Sequence, residues 1–89
     1  MSVRKEIRRL EGGIKEITYK CDIDGSELMK IYTDEHSMPS IYVFSCSHYD
    51  WGYAPHLGDI PPNALTYVKG ALFYFYIIPS QELQEGEEK

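Results

Sequence analysis

The segment from Ile14 to Ile23 constrains the fold most. Within it Ile17, Tyr19, Cys21 and Ile23 alternate with Glu16, Thr18, Lys20 and Asp22, the period of two that belongs to a strand with one buried face. Asp24-Gly25 follows directly, and that pair tolerates the positive φ a tight hairpin turn requires. Leu28 to Thr33 is then the returning strand, with Leu28 and Tyr32 competing against Met29 and Ile31 for the inner face. An antiparallel sheet is the expected centre of the fold.

Other segments extend it. After a polar loop ending at Pro39, Ser40 to Ser47 carries Ile41, Tyr42, Val43 and Phe44, a β-forming run that predicts a third strand. Ala71 to Ile78, closed by Pro79, predicts a fourth. Val3, Ile7 and Leu10 fall at helical steps, with Ser2 as N-cap and Gly12-Gly13 as stop, which predicts an amphipathic helix over 3–11 packed on one sheet face. Its outer side holds Arg4, Lys5, Arg8 and Arg9. A short helix is expected from Asn63 to Lys69, after Pro61-Pro62 and before Gly70. The fold class read from these segments is α+β: one domain over 1–79, an antiparallel sheet of about four strands, two helices, and an acidic, disordered tail over 80–89.

The 89 residues leave room for a single core. Eight Tyr, three Phe and one Trp exceed what so small an interior can hydrogen-bond, so some aromatic surface is expected. The formal charge of −5 draws on Glu82, Glu85, Glu87 and Glu88. Lys15, Lys20, Lys30 and Lys69 are scattered, so nucleic-acid binding is not expected. No apolar run approaches the roughly 18–20 residues of a membrane span, and no apolar leader core follows Met1. A cytoplasmic protein is expected, with Cys21 and Cys46 as reduced thiols.

Residues 48–62 read as a long irregular connection, and such connections are often functional. His48, Tyr49, Asp50, Trp51, Tyr53 and His56 fall within nine residues of one another there, and they form the predicted partner-binding group, because exposed Trp and Tyr dominate binding hot spots. Ala71 to Ile78 is apolar on both faces, so Phe73 and Phe75, or Tyr74 and Tyr76, are the predicted self-association residues of a homodimer.

Two chemical alternatives arise from the same residues. A catalytic one takes His48 or His56 as base, Asp50 or Asp59 as orienter and Ser45 or Ser47 as nucleophile, but no spacing identifies it, and no catalytic residue is assigned. A metal site would join Cys46, His48 and Cys21 with His36 or His56. The absence of Cys-x-x-Cys or His-x-x-x-His pairs favours two buried cysteines acting as small hydrophobes, so neither metal nor cofactor is assigned. The function expected is that of a small non-catalytic protein-binding module, acting as a regulator, adaptor or inhibitor, with acidic mimicry of nucleic acid as one form. The alternative is a small enzyme or a ligand- or metal-binding domain.

Overall fold

The computed structural model describes residues 3–80. Seven strands run in chain order: β1 (Val3–Arg9), β2 (Lys15–Cys21), β3 (Glu27–Thr33), β4 (Ser40–Val43), β5 (Tyr49–Ala54), β6 (Thr66–Lys69) and β7 (Tyr74–Pro79). They form two antiparallel sheets, ordered β1-β2-β3-β4 and β5-β7-β6. The helical turns between the strands are short 3-10 turns at Glu11–Gly13 and Leu57–Asp59. None is long and apolar enough to cross a membrane. The α+β expectation is therefore wrong in class: the described chain is an all-β, two-sheet domain, and the predicted tail beyond Ser80 lies outside the described residues.

The predicted N-terminal helix is strand β1, paired with β2 from Val3↔Cys21 to Arg9↔Lys15. Val3 and Ile7 are four residues apart, a spacing that satisfies a strand period of two as well as a helical turn. Pairing decides between them. A helix this short is marginal in water, whereas β1 gains a full ladder and sets Arg8 opposite Glu16. Gly12 and Gly13 both hold φ near +76°, so they close a hairpin and not a helix. The predicted Asn63–Lys69 helix is likewise strand from Thr66 on, where Thr66, Tyr67 and Val68 are β-formers. The first part of the supposed 48–62 loop is strand β5, in which Tyr49, Trp51 and Tyr53 alternate with Asp50, Gly52 and Ala54.

The central hairpin forms as expected, with Gly25 at φ +79° in its turn. Register shifts by one residue between Tyr19↔Met29 and Lys20↔Glu27. That bulge places both Leu28 and Met29 inside, which resolves their competition for the inner face. Elsewhere Ile17↔Ile31, Ile31↔Ile41 and Met29↔Val43 align one apolar face. Against it the second sheet brings Tyr49 and Ile77, with Phe75 and Val68 at the margin. Full burial of Leu28, Met29 and Ile77 is worth about 1.5–3 kcal/mol each.

The outer face of the first sheet is charged. Glu16, 6% exposed, accepts from Arg8 Nε at 2.8 Å, with Lys30 4.0 Å away and Lys20–Glu6 at 3.2 Å beside it. In the second sheet β5 and β6 both run antiparallel to β7, so the connection 55–65 returns along the sheet. Ala54 and Ile78 on its outer face are buried, so that face is partly covered from within the chain.

Candidate metal centre

The two sheets are joined at a point where two irregular segments meet. One is the β2–β3 turn, in which Cys21 ends β2 and Asp24 sits before Gly25; the other is the β4–β5 connection, which holds Cys46 and His48. One ligand atom from each of these four side chains lies within 4.8 Å of every other. Cys21 is fully buried, Cys46 and His48 are half-buried, and Asp24 is the most exposed of the four.

Local backbone geometry explains the convergence. The turn closes through Gly25 N–H donating to the Cys21 carbonyl at 3.0 Å and Cys21 N–H donating to Ser26 at 2.8 Å. This wraps the chain around the Cys21 sulfur, which accepts from the N–H groups of Ile23 at 3.3 Å and Asp24 at 3.5 Å. The Cys46 sulfur accepts from His48 N–H at 3.3 Å. Backbone donors aimed at sulfur favour thiolate. Burial nevertheless pushes the Cys21 thiol above its ordinary range, with those two N–H groups opposing the rise. A cation would remove that conflict by replacing the proton.

Asp24 is ready to bind as an anion. Its carboxyl is held at about 2, chiefly by the Ser26 backbone N–H, which donates to Oδ1 at 2.9 Å. The other oxygen, Oδ2, lies 3.5 Å from His48 Nδ1, and the same nitrogen lies 3.8 Å from Cys21 Sγ. A tetrahedral ion with bonds of about 2.3 Å to sulfur and about 2.0–2.1 Å to nitrogen and oxygen sets edges of about 3.6 Å between S and N and about 3.4 Å between N and O. The two observed separations exceed those edges by only tenths of an ångström. Cys, Cys, His and carboxylate are donors that zinc accepts.

A second tie crosses the same junction. Tyr49, fully buried at the start of β5, donates its hydroxyl to Asp22 Oδ1 at 2.7 Å, within the Cys21–Asp24 turn. Burial and then Asp22 raise its pKa, so it stays a donor.

The sequence-predicted partner group is distributed over different surroundings. His48 joins the cluster and Tyr49 enters the core, while half-buried Asp50 lies on the outer sheet face. Trp51, 37% exposed, and Tyr53, 59% exposed, share the other face, and exposed His56 follows the strand. His48, Asp50 and His56 are not brought together as a catalytic set. Of the predicted self-association residues, Phe75 packs at the core margin and Phe73 lies against Tyr53, with ring centroids 5.2 Å apart. Tyr74 and Tyr76 face the opposite way, Tyr74 against Tyr67.

Asp24 is the residue that sequence reasoning missed. The signal is two close pairs, Cys21-x-x-Asp24 followed by glycine and Cys46-x-His48, neither of which has the Cys-x-x-Cys or His-x-x-x-His form. Comparison with protein-family models, curated proteins and solved structures found no match, which leaves the chain's own residues as the ground for a functional reading.

Proposed function

We propose that this chain is a small non-catalytic β module whose two sheets are stapled by one zinc ion, held by Cys21, Cys46, His48 and Asp24. The observation that carries this reading is the approach of the four donor atoms to within 4.8 Å of one another, with the Cys21–His48 and His48–Asp24 separations close to tetrahedral edges. Four protein ligands fill a tetrahedral zinc, which suits a structural role, since catalytic sites keep a position open for water or substrate.

Metal analysis of protein purified without chelators tests the reading. It expects one zinc per chain, and cobalt in its place should give tetrahedral d–d absorption with a thiolate charge-transfer band. Cys46→Ser should lose the charge-transfer intensity of one sulfur and weaken zinc binding. A wild-type chain that stays metal-free in zinc-containing buffer, or a cobalt spectrum without thiolate bands, would refute it.

A second reading, partner binding, is favoured by the exposed apolar end of the second sheet. Tyr53 meets Phe73 edge to face there, with Leu57 and 79%-exposed Leu72 beside Phe73. Clustered exposed aromatic and aliphatic side chains are typical of protein contact sites. If this end docks another protein, the pair Leu72→Ser and Tyr53→Ala should abolish a contact that photo-crosslinking from position 57 detects in wild type, with the melting temperature unchanged. Crosslinks that persist in the double variant would dismiss this end as the contact.

A further inference from the structure

We infer that Cys21 and Cys46 form a peroxide-oxidisable dithiol, so that the junction between the sheets is closed either by zinc or by a disulfide, never by both. The zinc half of this statement rests on the reading above; the dithiol half rests on sulfur geometry alone. The two sulfurs lie within 4.8 Å of each other. They are the chain's only cysteines, and each accepts at least one backbone N–H. In a tetrahedral zinc site they would stand about 3.8 Å apart, and a disulfide needs about 2.05 Å. Cys21 is the last residue of β2 and Cys46 lies outside any strand, so rotation about Cα–Cβ and small movement of the connection can close that gap without breaking a sheet.

Exposure assigns the order of events. Cys46 is half-buried and Cys21 fully buried, so Cys46 is the sulfur that meets a hydroperoxide first. Its thiolate attacks one peroxide oxygen; an S–O bond forms, the O–O bond breaks, and the departing hydroxide takes a proton to become water. The Cys21 thiolate then attacks the Cys46 sulfenic sulfur, forming the S–S bond and expelling a second hydroxide, which is protonated in turn. Two thiolates lose two electrons, and one hydrogen peroxide is reduced to two waters. Zinc leaves because both anionic sulfur ligands are gone, which frees His48 and Asp24.

The test uses the whole protein, assayed first for zinc and then titrated with hydrogen peroxide. A zinc-binding dye, a thiol count and intact mass under denaturing, non-reducing conditions are read together. The expected result is one zinc released per two thiols lost, a mass lower by two hydrogens, a tryptic map linking Cys21 to Cys46, and full reversal by a dithiol reductant with zinc. Cys21→Ser should instead accumulate a Cys46 sulfenic acid that dimedone traps; the wild-type map decides the matter if that variant does not fold. Zinc loss with Cys46 ending as sulfinic acid, an intermolecular disulfide, or unchanged thiols at peroxide levels that oxidise free cysteine would each overturn the inference. A chain that proves zinc-free removes the zinc reading, and the same titration of the reduced protein then judges the dithiol by itself.

Discussion

Replacing Tyr49 with Phe removes one oxygen and tests whether the junction is held by more than packing. The hydroxyl is fully buried and donates at 2.7 Å to the Asp22 carboxylate. A hydrogen bond to a charged group contributes about 1.5–3 kcal/mol net. Asp22 is exposed, so water can solvate it once the phenol is gone, which places the loss toward the lower end, at about 2 kcal/mol. For a domain of this size that lowers the melting temperature by about 8–16 °C. Urea unfolding in chelator should give the same loss with an unchanged slope, and in zinc a larger one. Because Asp22 belongs to the Cys21–Asp24 turn, the variant should also bind zinc more weakly than wild type. A variant within about 0.5 kcal/mol of wild type, the range of an ordinary surface change, would refute the reasoning and reduce Tyr49 to a space-filling ring.

Two further perturbations probe the sheets. Gly52→Ala would set a Cβ 2.5 Å from Cζ and Oη of Tyr76, so the ring must move; overpacking of this kind costs about 1–3 kcal/mol, read from the urea midpoint, and an unchanged midpoint would show that Tyr76 swings away freely. The carboxyl of Glu16 is lowered below its ordinary 4.5, first by the Arg8 hydrogen bond and next by Tyr32. A depressed folded-state value means that its contribution is complete above pH 4.5 and is lost as pH falls through the folded value. Metal-free protein should therefore lose stability below pH 4.5 with a slope that Glu16→Gln reduces, and equal slopes would deny the pair its role.

The sequence made the central hairpin legible because its alternation has no competing interpretation: Ile17, Tyr19 and Cys21 point one way over consecutive pairs, and Asp24-Gly25 ends the strand. It misled where one spacing serves two periods. Val3 and Ile7 suit a helix and an edge strand alike, and the choice is made by β2, whose Glu16 and Lys20 pair with Arg8 and Glu6 across the ladder. No local signal contains that information. The β5 error is different in kind. Tyr49, Trp51 and Tyr53 already alternate with Asp50 and Gly52, and Gly52 leaves the room that the Tyr76 ring occupies. The candidate site was half legible. Cys21, Cys46 and His48 were grouped from sequence as possible ligands, yet His36 and His56 were offered to complete the set, since nothing in one strand shows which turn a distant connection will approach.

The metal reading and the thin core are connected physically. Seven side chains make up the buried cluster: Tyr19, Cys21, Leu28, Met29, Ile31, Tyr49 and Ile77. All but Tyr49 and Ile77 come from the first sheet, so the second sheet contributes two large anchors and is otherwise held at its margin by Phe75, Val68 and Cys46. A domain of this size buries a modest fraction of its surface, and a metal or a disulfide is one way to fix its parts. A staple has the largest effect where packing is sparse and where it joins segments far apart in sequence, because it then removes the most freedom from the unfolded chain. The junction of the 21–24 turn with residues 46–48 meets both conditions, and Tyr49, next to His48, donates into that same turn. The four side chains proposed as zinc ligands therefore sit where a staple would restrain the fold most.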